Sequence, residues 1–129
     1  QGEERFIEAS PDQGVLDIGN GMGVSFGDYD NDGDLDLHVT NMSSIAGNRI
    51  LERLFSDESA SGSLLKKRAD GNHLYENLGN GRFRDRSTEA GPFVAGWAWG
   101  GGFIDFDNDG REDLYTPNGM FSGKTMNDT

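Results

Sequence analysis

Along most of the chain, apolar and polar positions alternate with a period of two, in short runs broken by glycine and aspartate. Asp36, His38 and Thr40 interleave with Leu37 and Val39, which puts the apolar pair on one face of a strand. Residues 22–28, MGVSFGD, are short, glycine-spaced and closed by an aspartate cluster, as suits a strand packed closely on a neighbour. Residues 72–78 and 81–86 flank Gly79-Asn80-Gly81, a turn whose residues accept positive φ, and predict a hairpin. The order restarts at residues 96–105 and 113–116, and residues 4–9 align with 81–86, so the pattern predicts seven strands. One stretch has the other period. In residues 45–55, IAGNRILERLF, Ile50, Leu51, Leu54 and Phe55 fall at helical spacing with Arg49, Glu52 and Arg53 opposite, and the serine-rich SDESASGS follows. A short helix and a flexible loop are thus expected as an insert within a β unit. Its Lys66, Lys67 and Arg68 are read as a solvated loop, with contact to an acidic partner as the alternative.

The alternation recurs in register. Displaced by 77 residues, positions 5–41 fall on 82–118 without a gap, and 15 of the 37 pairs are identical. The identities include Gly19/Gly96, Gly23/Gly100, Phe26/Phe103, Leu37/Leu114 and Asn41/Asn118 as well as aspartates, so a structural unit repeats and not acidic composition alone.

At the centre of each repeat stands D-x-D-x-D-G-x-x-D: Asp28-Tyr29-Asp30-Asn31-Asp32-Gly33-Asp34-Leu35-Asp36, then Asp105-Phe106-Asp107-Asn108-Asp109-Gly110-Arg111-Glu112-Asp113. Oxygen ligands at positions 1, 3 and 5, glycine at 6 for a sharp turn and a carbonyl at 7 wrap a hard cation such as calcium. Carboxylates this close repel unless a divalent ion lies between them. An EF-hand loop needs a glutamate at position 12 between two helices, where this chain has Val39 and Thr116. The last acid stands at position 9 and the flanks read as strands, giving a tight β-loop-β connection.

The stretches GVSFGDYDNDGDLDLHVTN and GWAWGGGFIDFDNDGREDLYTPNG, with NHLYENLGNGRF between them, resemble the FG-GAP or VCBS type of repeat. The nearest likeness is to the cartilage acidic protein and ASPIC/UnbV group, with integrin α-chain blades more distant. The resemblance implies β-propeller blades with calcium between the first two strands of a blade. Carried over by position, it implies side-chain ligands Asp28, Asp30, Asp32 and Asp36 with the carbonyl of Asp34. In the second loop it implies Asp105, Asp107, Asp109 and Asp113 with the carbonyl of Arg111, so two calcium ions are expected. The expected fold is all-β: about one and three-quarter four-stranded antiparallel blades with a short helical insert at about 45–55, the whole of 1–129 being a single fragment of a β-propeller. Residues 4–10 are the last strand of a preceding blade, 22–90 a complete blade with insert 44–70, 96–118 the first half of the next, and 119–129 a disordered tail. A propeller needs four to eight blades, so the chain is expected to be a piece of one. Uncovered edges and faces then predict self-association.

Composition sharpens this picture. Leu, Ile, Val and Phe make up 27 of 129 residues, about 21 %, close to the ~20 % below which a highly charged chain is expected to be disordered. A net charge of −12 excludes a nucleic-acid footprint, and no run of 18 apolar residues predicts membrane insertion. Absence of cysteine excludes disulfides and Cys-ligated metals. Ten of the 23 acids lie in the two loops, and two calcium ions would bring the charge from −12 to −8. The acidity thus points to metal sites that supplement a thin core.

The leading expectation is a non-catalytic calcium-binding module of an extracellular, periplasmic or cell-surface adhesion propeller, with another protein or a glycan as partner. An alternative is a carbohydrate-binding module using Trp97 and Trp99, whose spacing puts both on one strand face, although packing between blades is the preferred account of the pair. A further alternative is a magnesium-dependent phosphotransferase using Asp105 and Asp107, because Phe103-Ile104-Asp105-Phe106-Asp107 is similar to the strand-borne Asp-x-Asp of the haloacid dehalogenase type. The recurrence of the pattern at Asp28 and the lack of alternating βα units weigh against it. His38 and His73 lack a second His or Cys at ligand spacing. Asn41-Met42-Ser43 and Asn127-Asp128-Thr129 fit the glycosylation acceptor pattern.

Overall fold

The structure, a computed structural model, describes residues 5–43, 50, 53–54, 62, 64–65, 71–89 and 95–119. It is all-β apart from one short helix, α1 (Ser10–Gln13). The strands are β1 (Gly21–Gly27), β2 (Asp36–Asn41), β3 (His73–Asn77), β4 (Phe83–Asp85), β5 (Gly102–Ile104) and β6 (Asp113–Tyr115). The first four form an antiparallel sheet in the order β1-β2-β3-β4, and β5 and β6 form a separate antiparallel pair. One four-stranded unit is followed by half of another, as expected for part of a propeller.

The 77-residue repeat holds in three dimensions. Phe26 pairs with Leu37 and Gly27 with Asp36; Phe103 pairs with Leu114 and Ile104 with Asp113. Gly21 opposite Asn41 becomes the bridge from Ala98 to Asn118. Even the closing bond repeats: Met42 N–H donates to Asn20 O at 3.1 Å, and Gly119 N–H to Trp97 O at 3.2 Å. Two of the repeated identities are thereby explained. A Cβ on Gly19 would lie 2.5 Å from the Asn41 side chain, and one on Gly96 would lie 3.0 Å from that of Asn118, so each asparagine is seated under a glycine.

The described residues hold six strands, not seven. Residues 6–9 lie outside the ladders and Phe6 is fully exposed, because among the described residues no strand runs beside them as Asn77 lies beside Phe83. The chain turns instead into α1, favoured by a proline in its first turn and closed by Gly14 at φ 82°. The predicted strand 96–105 is a ladder only at Gly102–Ile104, with isolated bridges at Trp97 and Ala98, since Gly100 and Gly101 lie against the neighbouring sheet. Most of the expected helix at 45–55 lies outside the described residues, with Ile50, Arg53 and Leu54 helical. The Lys66, Lys67 and Arg68 cluster, the tail from 120 and the Asn127 acceptor pattern also lie outside them.

The two units meet face to face. Gly23, Ser25 and Gly27 share a sheet face with their partners Thr40, His38 and Asp36, and this face receives the second unit. A Cβ on Gly23 would lie 3.0 Å from Gly100 Cα, and one on Gly101 would lie 2.9 Å from His38 Nε2. His38 meets Phe103 edge-on, with ring centroids 6.3 Å apart, and its Nε2 is 3.1 Å from Thr116 Oγ1. The buried side of β2 is therefore the polar one: Asp36, His38 and Thr40 are buried while Leu37 and Val39 are half-buried. Leu74, Tyr75 and Ala98 are the buried apolar residues among those described, beside six buried polar ones.

Candidate metal centre

Both aspartate loops join antiparallel strands, β1 to β2 and β5 to β6. Their backbones are alike: Asn31 and Asn108 each have φ 60°, Gly33 has φ 93° and Gly110 φ 85°. Open space surrounds both glycines, so the left-handed backbone and not crowding selects glycine there.

The first aspartate caps each loop from inside. Asp28 accepts the N–H groups of Asp32 at 3.0 Å and Gly33 at 3.1 Å; Asp105 accepts those of Asp109 and Gly110, both at 3.0 Å. Asp32 accepts from Asp34 N–H at 2.9 Å and Asp109 from Arg111 N–H at 2.8 Å. The last aspartate reaches back across the loop: Asp36 accepts Tyr29 N–H and Asp113 accepts Phe106 N–H, both at 3.1 Å. Among the described residues, Asp36 alone carries a further tie. Its Oδ1 accepts Asn77 N–H at 2.7 Å from β3, and Asn77 Nδ2 donates to Leu35 O at 3.0 Å.

The loops thus draw carboxylates together. Oxygen atoms of Asp28, Asp30 and Asp36 lie within 4.8 Å of one another, as do those of Asp105, Asp107 and Asp109. Asp32, Asp34 and Asp113 stand outside these clusters, Asp34 turning its carboxylate toward the Gly79 turn. The expected contributions of Asp34 and Arg111 are main-chain carbonyls. Burial raises the pKa of Asp36, opposed by the Asn77 and Tyr29 N–H groups and reinforced by Asp30 and Asp32. Desolvation, then repulsion from Asp32, raises that of Asp30. Crowded, partly desolvated carboxylates with no nitrogen or sulfur donor among them fit a hard divalent cation and not a softer metal.

Asp105 and Asp107 stand in an antiparallel hairpin, which removes the parallel-strand setting that the phosphotransferase alternative requires. Trp97 and Trp99 are 44 % and 49 % exposed on one face, while Ala98 between them is fully buried. Asn41 is buried and its Nδ2 donates to Asp17 Oδ2 at 2.8 Å, so its acceptor pattern is closed to glycosylation in the folded chain. His38 donates from Nδ1 to His73 O at 2.9 Å, and no cluster of metal-ligating side chains among the described residues contains a histidine.

Two contributors escape the sequence reading. Asn77 secures Asp36 from a strand 41 residues away, and Glu112 Oε2 accepts Asp28 N–H of the other loop at 2.7 Å. The Asn77 position falls within NHLYENLGNGRF, but nothing local marks either partnership.

No curated protein and no solved structure matches the chain. Residues 60–116 match the model of the FG-GAP-like repeat family, a span containing β3, β4, β5, the second aspartate loop and β6. The first loop lies before the match and is tied to it by the 77-residue repeat, and the match supports the FG-GAP repeat family for this chain.

Proposed function

We propose that the chain is a non-catalytic, calcium-binding part of an extracellular or cell-surface interaction propeller, with one calcium ion in each aspartate loop. The observation that carries this reading is the twofold recurrence of one pattern of backbone N–H to carboxylate bonds, with three acids drawn together in each loop, at positions 1, 3 and 9 of the first and 1, 3 and 5 of the second. Asp28, Asp30, Asp32 and Asp36, and Asp105, Asp107, Asp109 and Asp113, would supply carboxylates, with main-chain oxygens from Asp34 and Arg111. Calcium there neutralises acid repulsion and ties each strand pair at its tip. Within the FG-GAP repeats, the wording of the two loops favours the cartilage acidic protein and ASPIC/UnbV group. A thermal melt with calcium against EDTA tests the reading. A ligand that binds only the folded chain stabilises it by about 2.7 kcal/mol per site at 100 times its dissociation constant. An unchanged melt would remove calcium from the proposal.

The partner is proposed to be a protein, with a glycan as the second reading because Trp97 and Trp99 present half-exposed indoles on one face. Loss of glycan-array signal in Trp97→Ala would favour the glycan. Val24, Phe26, Ile104 and Tyr115 are exposed, so the chain by itself is expected to self-associate; a monodisperse monomer in light scattering would contradict this.

A further inference from the structure

Glu112 occupies position 8 of the second loop, where the first has Leu35. Its carboxylate leaves its own loop: Oε2 accepts the N–H of Asp28, 84 residues earlier. Gly27 makes the approach possible, because a Cβ there would lie 2.5 Å from the same oxygen and 2.3 Å from Phe103 Cγ. The link is short at both ends. Glu112 lies between Arg111 and Asp113, both assigned to the second cation, and Asp28 is the first residue assigned to the other.

We propose that Glu112 is a positioning residue that couples the two loops, so that a cation held in either one strengthens binding in the other. The inference rests on the calcium reading of both loops. With the Arg111 carbonyl and the Asp113 carboxylate fixed, the backbone of Glu112 is fixed between them and its carboxylate is held toward Asp28 N–H. That charge-assisted bond orients the peptide from which the Asp28 carboxylate projects. The Asp28 carboxylate already takes two N–H groups of its own loop, so its direction follows that peptide. Linkage makes the effect reciprocal. Direct repulsion between two bound cations acts in the opposite sense and is screened by salt, so positive coupling needs a physical connection between the loops, and the Glu112 to Asp28 bond is the one that joins them directly.

Calcium titration calorimetry of the full chain tests this. Asp105→Asn/Asp107→Asn leaves only the first site and Asp28→Asn/Asp30→Asn only the second, and the two single-site constants compared with the overall constant of the parent give the coupling factor. Roughly fivefold or more is expected with Glu112 present. It should fall to about one in Glu112→Leu, which copies the residue of the first loop, and survive in part in Glu112→Gln, which keeps an acceptor oxygen. The Gln variant also serves should the Leu variant fail to fold. A coupling factor near one in the parent, or one unchanged by Glu112→Leu, overturns the proposal while leaving two calcium sites standing. No binding heat in the parent overturns the calcium reading and this proposal together.

Discussion

Gly27→Ala is the most direct probe of how the two units meet. A methyl at Gly27 would sit 2.3 Å from Phe103 Cγ and 2.5 Å from Glu112 Oε2, whereas carbon atoms pack at about 3.5–4.0 Å. The overlap with the ring exceeds 1 Å. Phe103 is held in the β5–β6 ladder opposite Leu114 and its ring meets His38 edge-on, so relief requires the ring to leave that contact or the second unit to shift. Such overpacking costs roughly 1–3 kcal/mol, and displacing Glu112 from Asp28 N–H forfeits a charged hydrogen bond of about 1.5–3 kcal/mol. Against this, replacing a strand glycine by alanine recovers about 0.5–1 kcal/mol. A net loss of about 2–4 kcal/mol is expected, a large share of the total stability of a small domain. Gly102→Ala is the control: it lies in β5, yet no atom stands within 4 Å of its Cβ position, so it should be neutral or slightly stabilising. Urea unfolding of parent and variants, followed by tryptophan fluorescence at one fixed calcium concentration, measures both. Phe103→Leu should restore part of the loss in Gly27→Ala, since residues in contact are not additive. If Gly27→Ala falls within 0.5 kcal/mol of the parent, or Gly102→Ala loses as much, the packing argument fails.

Two further outcomes follow from single side chains. Burial holds the pKa of His38 below 6.5, with the His73 carbonyl bond opposing and His73 itself reinforcing the shift. A depressed histidine pKa means that the unfolded chain takes up the proton first, so stability is full above about pH 6.5 and declines as pH falls through the lower folded value. In EDTA, His38→Gln should flatten that part of a stability–pH profile, and parallel profiles would refute the assignment. Asp36→Ala strips the acceptor from both Tyr29 and Asn77 N–H groups, whereas Asp113→Ala strips it from Phe106 alone. Each part-buried orphan costs about 1–3 kcal/mol, so in EDTA the first variant should be the less stable by about 2 kcal/mol in urea unfolding.

What the sequence makes legible is local. The D-x-D-x-D-G-x-x-D spacing specifies a turn with left-handed residues at fixed offsets, and Asn31, Gly33, Asn108 and Gly110 take those conformations. Period-two alternation finds β2, and a glycine turn finds the β3–β4 hairpin, because both signals lie within a few residues. Partners across the fold are another matter. Residues 5–9 share identities with 82–86, yet a repeat copies residues and not neighbours: Phe83 has Asn77 beside it, whereas Phe6 has no strand beside it among the described residues. Nor does alternation tell which face of β2 is buried. That is decided by Gly23 and Gly27 on the same face of β1 and by Gly100 and Gly101 of the facing unit, whose close approach lets Asp36, His38 and Thr40 be enclosed with their hydrogen bonds intact.

A thin apolar core and an enclosed polar face are two sides of one design. Leu74, Tyr75 and Ala98 supply little hydrophobic burial beside Asp36, His38, Thr40, Asn41, Ser43 and Asn72, so the fold relies on polar groups finding partners: Asn41 N–H on Asn72 Oδ1 at 2.8 Å, His38 on His73 and Thr116, Asp36 on Tyr29 and Asn77. A buried polar network stabilises only when it is nearly complete and turns costly when one member is displaced. Asp36 belongs at once to this network and to the carboxylate cluster of the first loop. Repulsion within that cluster therefore bears on the enclosed face through one residue, and whatever neutralises the loop steadies the contact between the two units as well.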